Sequence, residues 1–153
     1  MESFEITFFC CKGENDESSI NKLTKQFELY DNFNKKNVIE FFNDEEKDFV
    51  EFRLSIFDFV ITPDNFNDVF SRLSQFASSV FQGMPSVRVA TGVYELTYYL
   101  TENKKSILEF DKEFMMKFPI VFFRVGQDYG GGQQIFSDDN INCIFYKEAQ
   151  DIL

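Results

Sequence analysis

The chain has 153 residues, and its 26 Asp and Glu outnumber its 15 Lys and Arg, which gives a formal net charge of −11 at pH 7. Such a surface repels nucleic-acid phosphates and anionic membranes and attracts basic partners. Histidine is absent, so Ser–His–Asp and Cys–His catalytic arrangements are excluded. Because 44% of the residues are hydrophobic and 22 are Phe, we expect one packed domain over 1–153 rather than an acidic disordered chain.

The N-terminal half begins with a predicted strand over 4–12, rich in aromatic and β-branched residues. Helical spacing of apolar residues then predicts a helix over 20–31. The apolar run 38–42 and the alternating segment 49–61 flank an acidic turn and are expected to pair as a hairpin. In the second segment Glu51, Arg53 and Ser55 share one face, which predicts a strand half exposed to solvent.

A helix is predicted over 64–82, because apolar residues recur there at i, i+3, i+4 and i+7. Pro63 suits the start of a helix, and Gly83 with Pro85 ends the pattern. We expect the apolar stripe of this helix to face the core. Its members are Phe66, Val69, Phe70, Leu73, Phe76, Ala77, Val80 and Phe81.

The C-terminal half is predicted to be mainly extended. Segment 87–100 is typical of a strand with a bulge at Gly92, although a helix over 91–101 fits the spacing too, and both remain open. We expect a partner strand over 107–110, a helical turn over 112–117 capped by Asp111, a buried central strand over 119–125, a loop over 126–134 and a last strand over 142–146. The elements together predict an α+β fold, mainly an antiparallel sheet packed against the 64–82 helix and shorter helices.

The carboxylates fall into clusters that are candidates for binding a basic partner, since opposed charges steer encounter. Two residues of the glycine-rich 126–134 loop are added, because loops often carry binding and Tyr is enriched at interfaces. The candidate partner-binding residues are Glu14, Asp16, Glu17, Asp44, Glu45, Glu46, Asp48, Asp128 and Tyr129.

Cofactor and targeting signals are missing from the sequence. The 126–134 loop has neither the Gly-x-Gly-x-x-Gly spacing nor the Lys-Ser/Thr pair of phosphate-binding loops, so we expect no cofactor. No basic-then-apolar leader and no apolar stretch of about 18 residues occurs, so we expect a cytoplasmic protein that does not enter a membrane. Cys10, Cys11 and Cys143 are then expected to be reduced.

Besides its size and acidity, the chain has two characteristic segments. They are Gly92-Val93-Tyr94-Glu95-Leu96-Thr97 and the FPIVFFR stretch at 118–124. In these respects it resembles the small acidic bacterial immunity proteins, including those of contact-dependent growth inhibition systems. The resemblance implies a cytoplasmic, non-enzymatic inhibitor. Such a protein binds a basic toxin domain, often a nuclease, in a 1:1 complex and blocks its active site by mimicking phosphate charge.

Two other functions stay open. The 126–134 loop suits a small-ligand protein or an enzyme, which requires an apolar pocket with convergent polar groups beside that loop. The Tyr-rich segment 87–100 suits a structural or adaptor subunit that self-associates through this strand.

Overall fold

The computed structural model describes residues 3–12, 37–57, 62–94, 97–127, 129 and 131–146. The described strands form one seven-stranded antiparallel sheet in the order β2-β3-β1-β4-β5-β7-β6. They are β1 (Ser3–Cys11), β2 (Asn37–Phe42), β3 (Phe49–Phe57), β4 (Val87–Tyr94), β5 (Ile120–Arg124), β6 (Gln133–Ser137) and β7 (Ile141–Phe145). The helices are α1 (Phe66–Gly83), α2 (Thr97–Thr101) and α3 (Lys112–Met115), with a 3₁₀ turn at Ile107–Glu109. The α+β class with a mainly antiparallel sheet is therefore confirmed, and the helix predicted over 20–31 lies outside the described residues.

Helix α1 lies on one face of the sheet. Its buried Leu73, Phe76 and Phe81 pack in one core with β1 residues such as Phe8, whose ring centroid is 5.9 Å from that of Phe76. A turn fixes the start of this helix, because the backbone N–H of Thr62 donates to Asn65 Oδ1 at 2.7 Å. Residues 4, 6, 8 and 10 of β1 all point into this core, as the period of two in a strand requires.

The opposite face of the sheet is also buried, which corrects the prediction of a half-exposed strand at 49–61. Glu51, Arg53 and Ser55 are each only 6% exposed. Arg53 lies between two carboxylates: its Nε is 3.5 Å from Oε2 of Glu5, and its Nη2 is 3.3 Å from Oε2 of Glu51. Alternation assigned the side chains to the correct faces, but polarity did not indicate solvent, because Arg53 forms ion pairs with one carboxylate of its own strand and one of β1. Beside them a second aromatic core forms around Phe9, Phe110 and Phe118.

Segment 87–101 contains both of the structures that its spacing allowed, since β4 ends at Tyr94 and α2 begins at Thr97. The bulge predicted at Gly92 is wrong. Gly92 pairs in register with Ile6 and Ile120, and the register shift lies between Phe9 and Cys10. A Cβ atom at Gly92 would lie 2.8 Å from Cζ of Phe4, so the glycine makes room for that ring.

Of the other predicted secondary-structure elements, several are confirmed and one is wrong. The hairpin of β2 and β3, the central strand β5, the last strand β7 and the Asp111 cap, which accepts from the N–H of Phe114 at 2.9 Å, are confirmed. The strand predicted over 107–110 is wrong, because these residues form the 3₁₀ turn. Edge strand β6 was not predicted.

All three cysteines are free, as the sequence predicted. Cys10 and Cys143 are buried, and burial raises the pKa of both thiols. These two side chains therefore pack as small apolar groups.

Candidate protein-binding surface

The structure places the predicted partner-binding residues in three situations. Asp44, Glu45, Glu46 and Asp48 lie together in the turn between β2 and β3. Tyr129 lies half-buried in the 126–134 loop. The other candidates, Glu14, Asp16, Glu17 and Asp128, lie outside the described residues.

Asp48 attaches the acidic turn to the segment before α3. Its two carboxylate oxygens accept from the Ser106 hydroxyl at 2.7 Å and from the backbone N–H of Ile107 at 2.8 Å. Its own N–H donates to the carbonyl of Lys105 at 2.9 Å. Because both oxygens are engaged inside the chain, Asp48 positions the turn, and the neighbouring carboxylates are the ones left at the surface.

A capping box formed by Ser106 and Glu109 closes the N-terminal end of the 3₁₀ turn at Ile107–Glu109. Glu109 accepts from the N–H groups of Lys105 and Ser106 at 2.7 and 2.9 Å, and Ser106 accepts from the N–H of Leu108 at 3.2 Å. The backbone bonds from Ser106 and Lys105 lower the pKa of Glu109. This capping box holds Leu108 outward, where its side chain is 87% exposed.

Helix α2 borders the acidic turn on its other side. The Lys47 ammonium donates to the carbonyl of Thr101, the last residue of α2, at 3.3 Å. The helix carries Tyr98 and Tyr99, which are 57% and 69% exposed and whose ring centroids are 5.7 Å apart. We call the combined area the acidic–aromatic surface. It comprises Asp44, Glu45, Glu46, Tyr98, Tyr99, Leu108 and Glu109.

Lysines are interleaved with the carboxylates of this surface. The Lys105 ammonium lies 3.0 Å from Glu46, and both side chains are more than half exposed. The hydrogen bond and charge of Glu46 raise the pKa of Lys105. Lys12 donates to the carbonyls of Asp44 and Lys47 at 2.8 and 3.1 Å. Exposed ion pairs contribute little to stability, so a partner's cation can replace Lys105 at Glu46 at little cost.

The 126–134 loop borders a cleft of about 250 Å³, which continues to Leu108. Three polar residues line it and each has a contact within the chain: Arg88 Nε donates to Cys11 Sγ at 2.9 Å, Gln127 Oε1 accepts from the N–H of Arg124 at 2.9 Å, and the Tyr129 hydroxyl donates to the carbonyl of Phe110 at 3.2 Å. Much of the remaining lining is apolar, from Leu108 and its neighbours.

Strand β4 lies inside the sheet, with β1 and β5 hydrogen-bonded to its two edges. Pairing between two copies along this strand is therefore blocked. Tyr94 is half-buried against Phe4, with the ring centroids 5.4 Å apart. The exposed tyrosines of the segment are those of α2, in the acidic–aromatic surface.

Sequence reasoning missed Leu108 as a surface anchor because its apolar neighbours Ile107 and Phe110 suggested a strand. A local signal was present. Ser106 and Glu109 have the Ser-x-x-Glu spacing of a capping box, which predicts a helical turn rather than extended backbone.

Among the described residues, no cluster of three or more His, Cys, Asp or Glu side chains has the arrangement of a metal site. In the same ranges, no helix has both the length and the apolar character needed to cross a bilayer. No family model, curated protein or solved structure matches the chain.

Proposed function

We propose that this chain is a non-enzymatic binding protein that neutralises a basic protein, in the manner of an immunity protein acting on a toxin nuclease domain. One observation carries the proposal. The contacts of Asp48 bring the exposed carboxylates of the β2–β3 turn next to the outward-pointing Leu108. An apolar anchor beside charged groups has the composition of a protein interface.

The mechanism is occlusion of the partner's active site. Glu45 and Glu46 would pair with the Lys and Arg side chains that a nuclease uses to hold phosphate, while Leu108 and Tyr98 supply buried apolar contact. Tyr and Leu differ in this role, because Tyr keeps a hydroxyl at the wet rim whereas Leu needs a pocket on the partner. Carboxylates in the rim would mainly raise the association rate.

The small-ligand alternative has the cleft that it requires beside the 126–134 loop. The polar groups of Gln127 and Tyr129, however, are used within the chain. For this reason we favour protein binding over the ligand-binding function.

Neutralisation is tested by expressing this chain together with each protein encoded beside its gene. We expect it to relieve growth arrest caused by one of them and to copurify with that protein. The E45Q/E46Q variant should protect less well, whereas D64N/E113Q, which removes equal charge elsewhere, should protect like the wild type. If the wild-type chain relieves the toxicity of none of these proteins, the proposal is wrong.

A further inference from the structure

A small cavity of about 100 Å³ opens within the acidic–aromatic surface, between the β2–β3 turn and α2. It is lined by three aromatic residues and two acidic ones, together with Lys47 and Thr101; the aromatic and acidic residues are Phe42, Phe49, Tyr98, Asp44 and Glu51. Aromatic faces combined with carboxylates favour a cation, since ring quadrupoles and negative charges both attract positive charge. The volume is suited to one side chain rather than to a metabolite.

Glu51 is the buried carboxylate of this cavity. One of its oxygens accepts from Arg53 at 3.3 Å, while the buried Oε1 has no hydrogen-bond partner among the described residues. The Thr101 hydroxyl also lines the cavity, where it donates to the carbonyl of Thr97 at 2.9 Å and lies near enough to Glu51 to lower the pKa of that carboxyl. A buried acceptor without a donor is destabilising, the more so when it is charged, so the cavity favours an additional donor.

The chain's own cations show that positive charge is accommodated here. The Lys47 ammonium lies 5.4 Å from the centre of the Phe49 ring, and the Arg53 guanidinium lies 4.6 Å from the centre of the Phe42 ring. The Lys47 ammonium donates to the Thr101 carbonyl at 3.3 Å, near the upper limit for a hydrogen bond. A long flexible side chain held in this way can move aside for a competing cation.

We propose that this cavity is a socket for one cationic side chain, Lys or Arg, of a basic protein partner. The inserted group donates to Glu51 Oε1 and packs against Tyr98, and Lys47 leaves the socket as it enters. The inference rests on the proposed function for the identity of the partner, but the chemistry of the socket can be measured without that partner.

The test uses n-butylguanidinium as the probe and neutral n-butylurea, of the same size, as the control. Two-dimensional NMR follows the Thr101 and Tyr98 amides and the Glu51 side-chain carboxyl carbon of the full chain during titration. We expect saturable shifts at all three with the cation and none with the urea. Lys47→Ala should strengthen cation binding several-fold, because it removes the internal competitor.

Glu51→Gln should abolish these shifts, and Tyr98→Ala, at an exposed position, should weaken them without altering the fold. The proposal is overturned if the cation shifts none of the three signals in either the wild type or Lys47→Ala. It is also overturned if the shifts near Asp64 and Asp68 are equal to those at the socket, because binding is then non-specific. A socket that binds the probe in a chain that neutralises no neighbouring protein leaves this inference standing and removes only the proposed function.

Discussion

Glu51 carries its carboxyl group on a side chain that is largely buried. Burial raises the pKa of this carboxyl above its ordinary value of 4.5, and the nearby charges of Arg53 and Lys47 oppose that rise. The native state therefore holds a proton on Glu51 at pH values where the unfolded chain has lost it. The free energy of unfolding therefore falls as the pH rises from 4.5 through the raised pKa, because the unfolded chain loses this proton more easily than the native state does.

We expect Glu51→Gln to remove this dependence. Relative to the wild type, its free energy of unfolding should increase as the pH is raised from below 4.5 towards neutrality, because the variant has no charge to bury. Urea unfolding at a series of pH values measures the difference. A difference that stays constant, or that changes in the opposite direction, would show that Glu51 is fully compensated when ionised.

Asp48 was predicted from sequence to contact a partner, and its contacts indicate a positioning role instead. We expect Asp48→Ala to lower the free energy of unfolding by about 0.5–1.5 kcal/mol, because it removes the hydrogen bonds from the Ser106 hydroxyl and the Ile107 N–H, which water replaces in part. Glu45→Ala, in the same turn, should change it by less than about 0.5 kcal/mol. Chemical denaturation compares the two, and equal effects would contradict the positioning role.

At the scale of elements, the pattern of apolar residues predicted the hairpin of β2 and β3 and the buried strand β5 from the sequence. It could not show that the polar face of β3 is buried, because the partners of Arg53 include Glu5 of another strand. It also missed β6, whose Gln133 and Gln134 have no strong strand preference and whose pairing with β7 depends on tertiary context. In the candidate site, the sequence predicted the residues of the acidic turn but did not predict Leu108.

Strand β4 depends on a glycine at its centre. Gly92→Ala would place a methyl group 2.8 Å from Cζ of Phe4 and 3.4 Å from Ile120. We expect a loss of about 1–3 kcal/mol in the free energy of unfolding through overpacking. Gln82→Ala, exposed near the end of α1, serves as the control. Thermal unfolding of both variants measures this loss. A Gly92→Ala protein as stable as the wild type would show that the Phe4 ring moves aside without cost.

At the scale of the whole molecule, the net charge of −11 is a long-range property, whereas binding is a property of one surface. A general negative field would attract any basic protein and would change little when two carboxylates are removed. Binding at one defined surface behaves differently. Salt screens interactions between charges more than about 10 Å apart, so the charges close to the contact then dominate steering. The position of the carboxylates, rather than their number, should then determine the association rate.

The most direct measurement is the association rate with the basic protein that the chain neutralises, recorded by stopped flow over a range of salt concentrations. At an ionic strength of about 0.1 M, where the screening length is about 10 Å, we expect the wild type and D64N/E113Q to associate equally fast, above the range of about 10⁵–10⁶ M⁻¹s⁻¹ that is typical without steering. E45Q/E46Q should be several-fold slower, and the difference should shrink as salt increases. If E45Q/E46Q and D64N/E113Q have the same rates at every salt concentration, the acidic–aromatic surface is not where the partner binds.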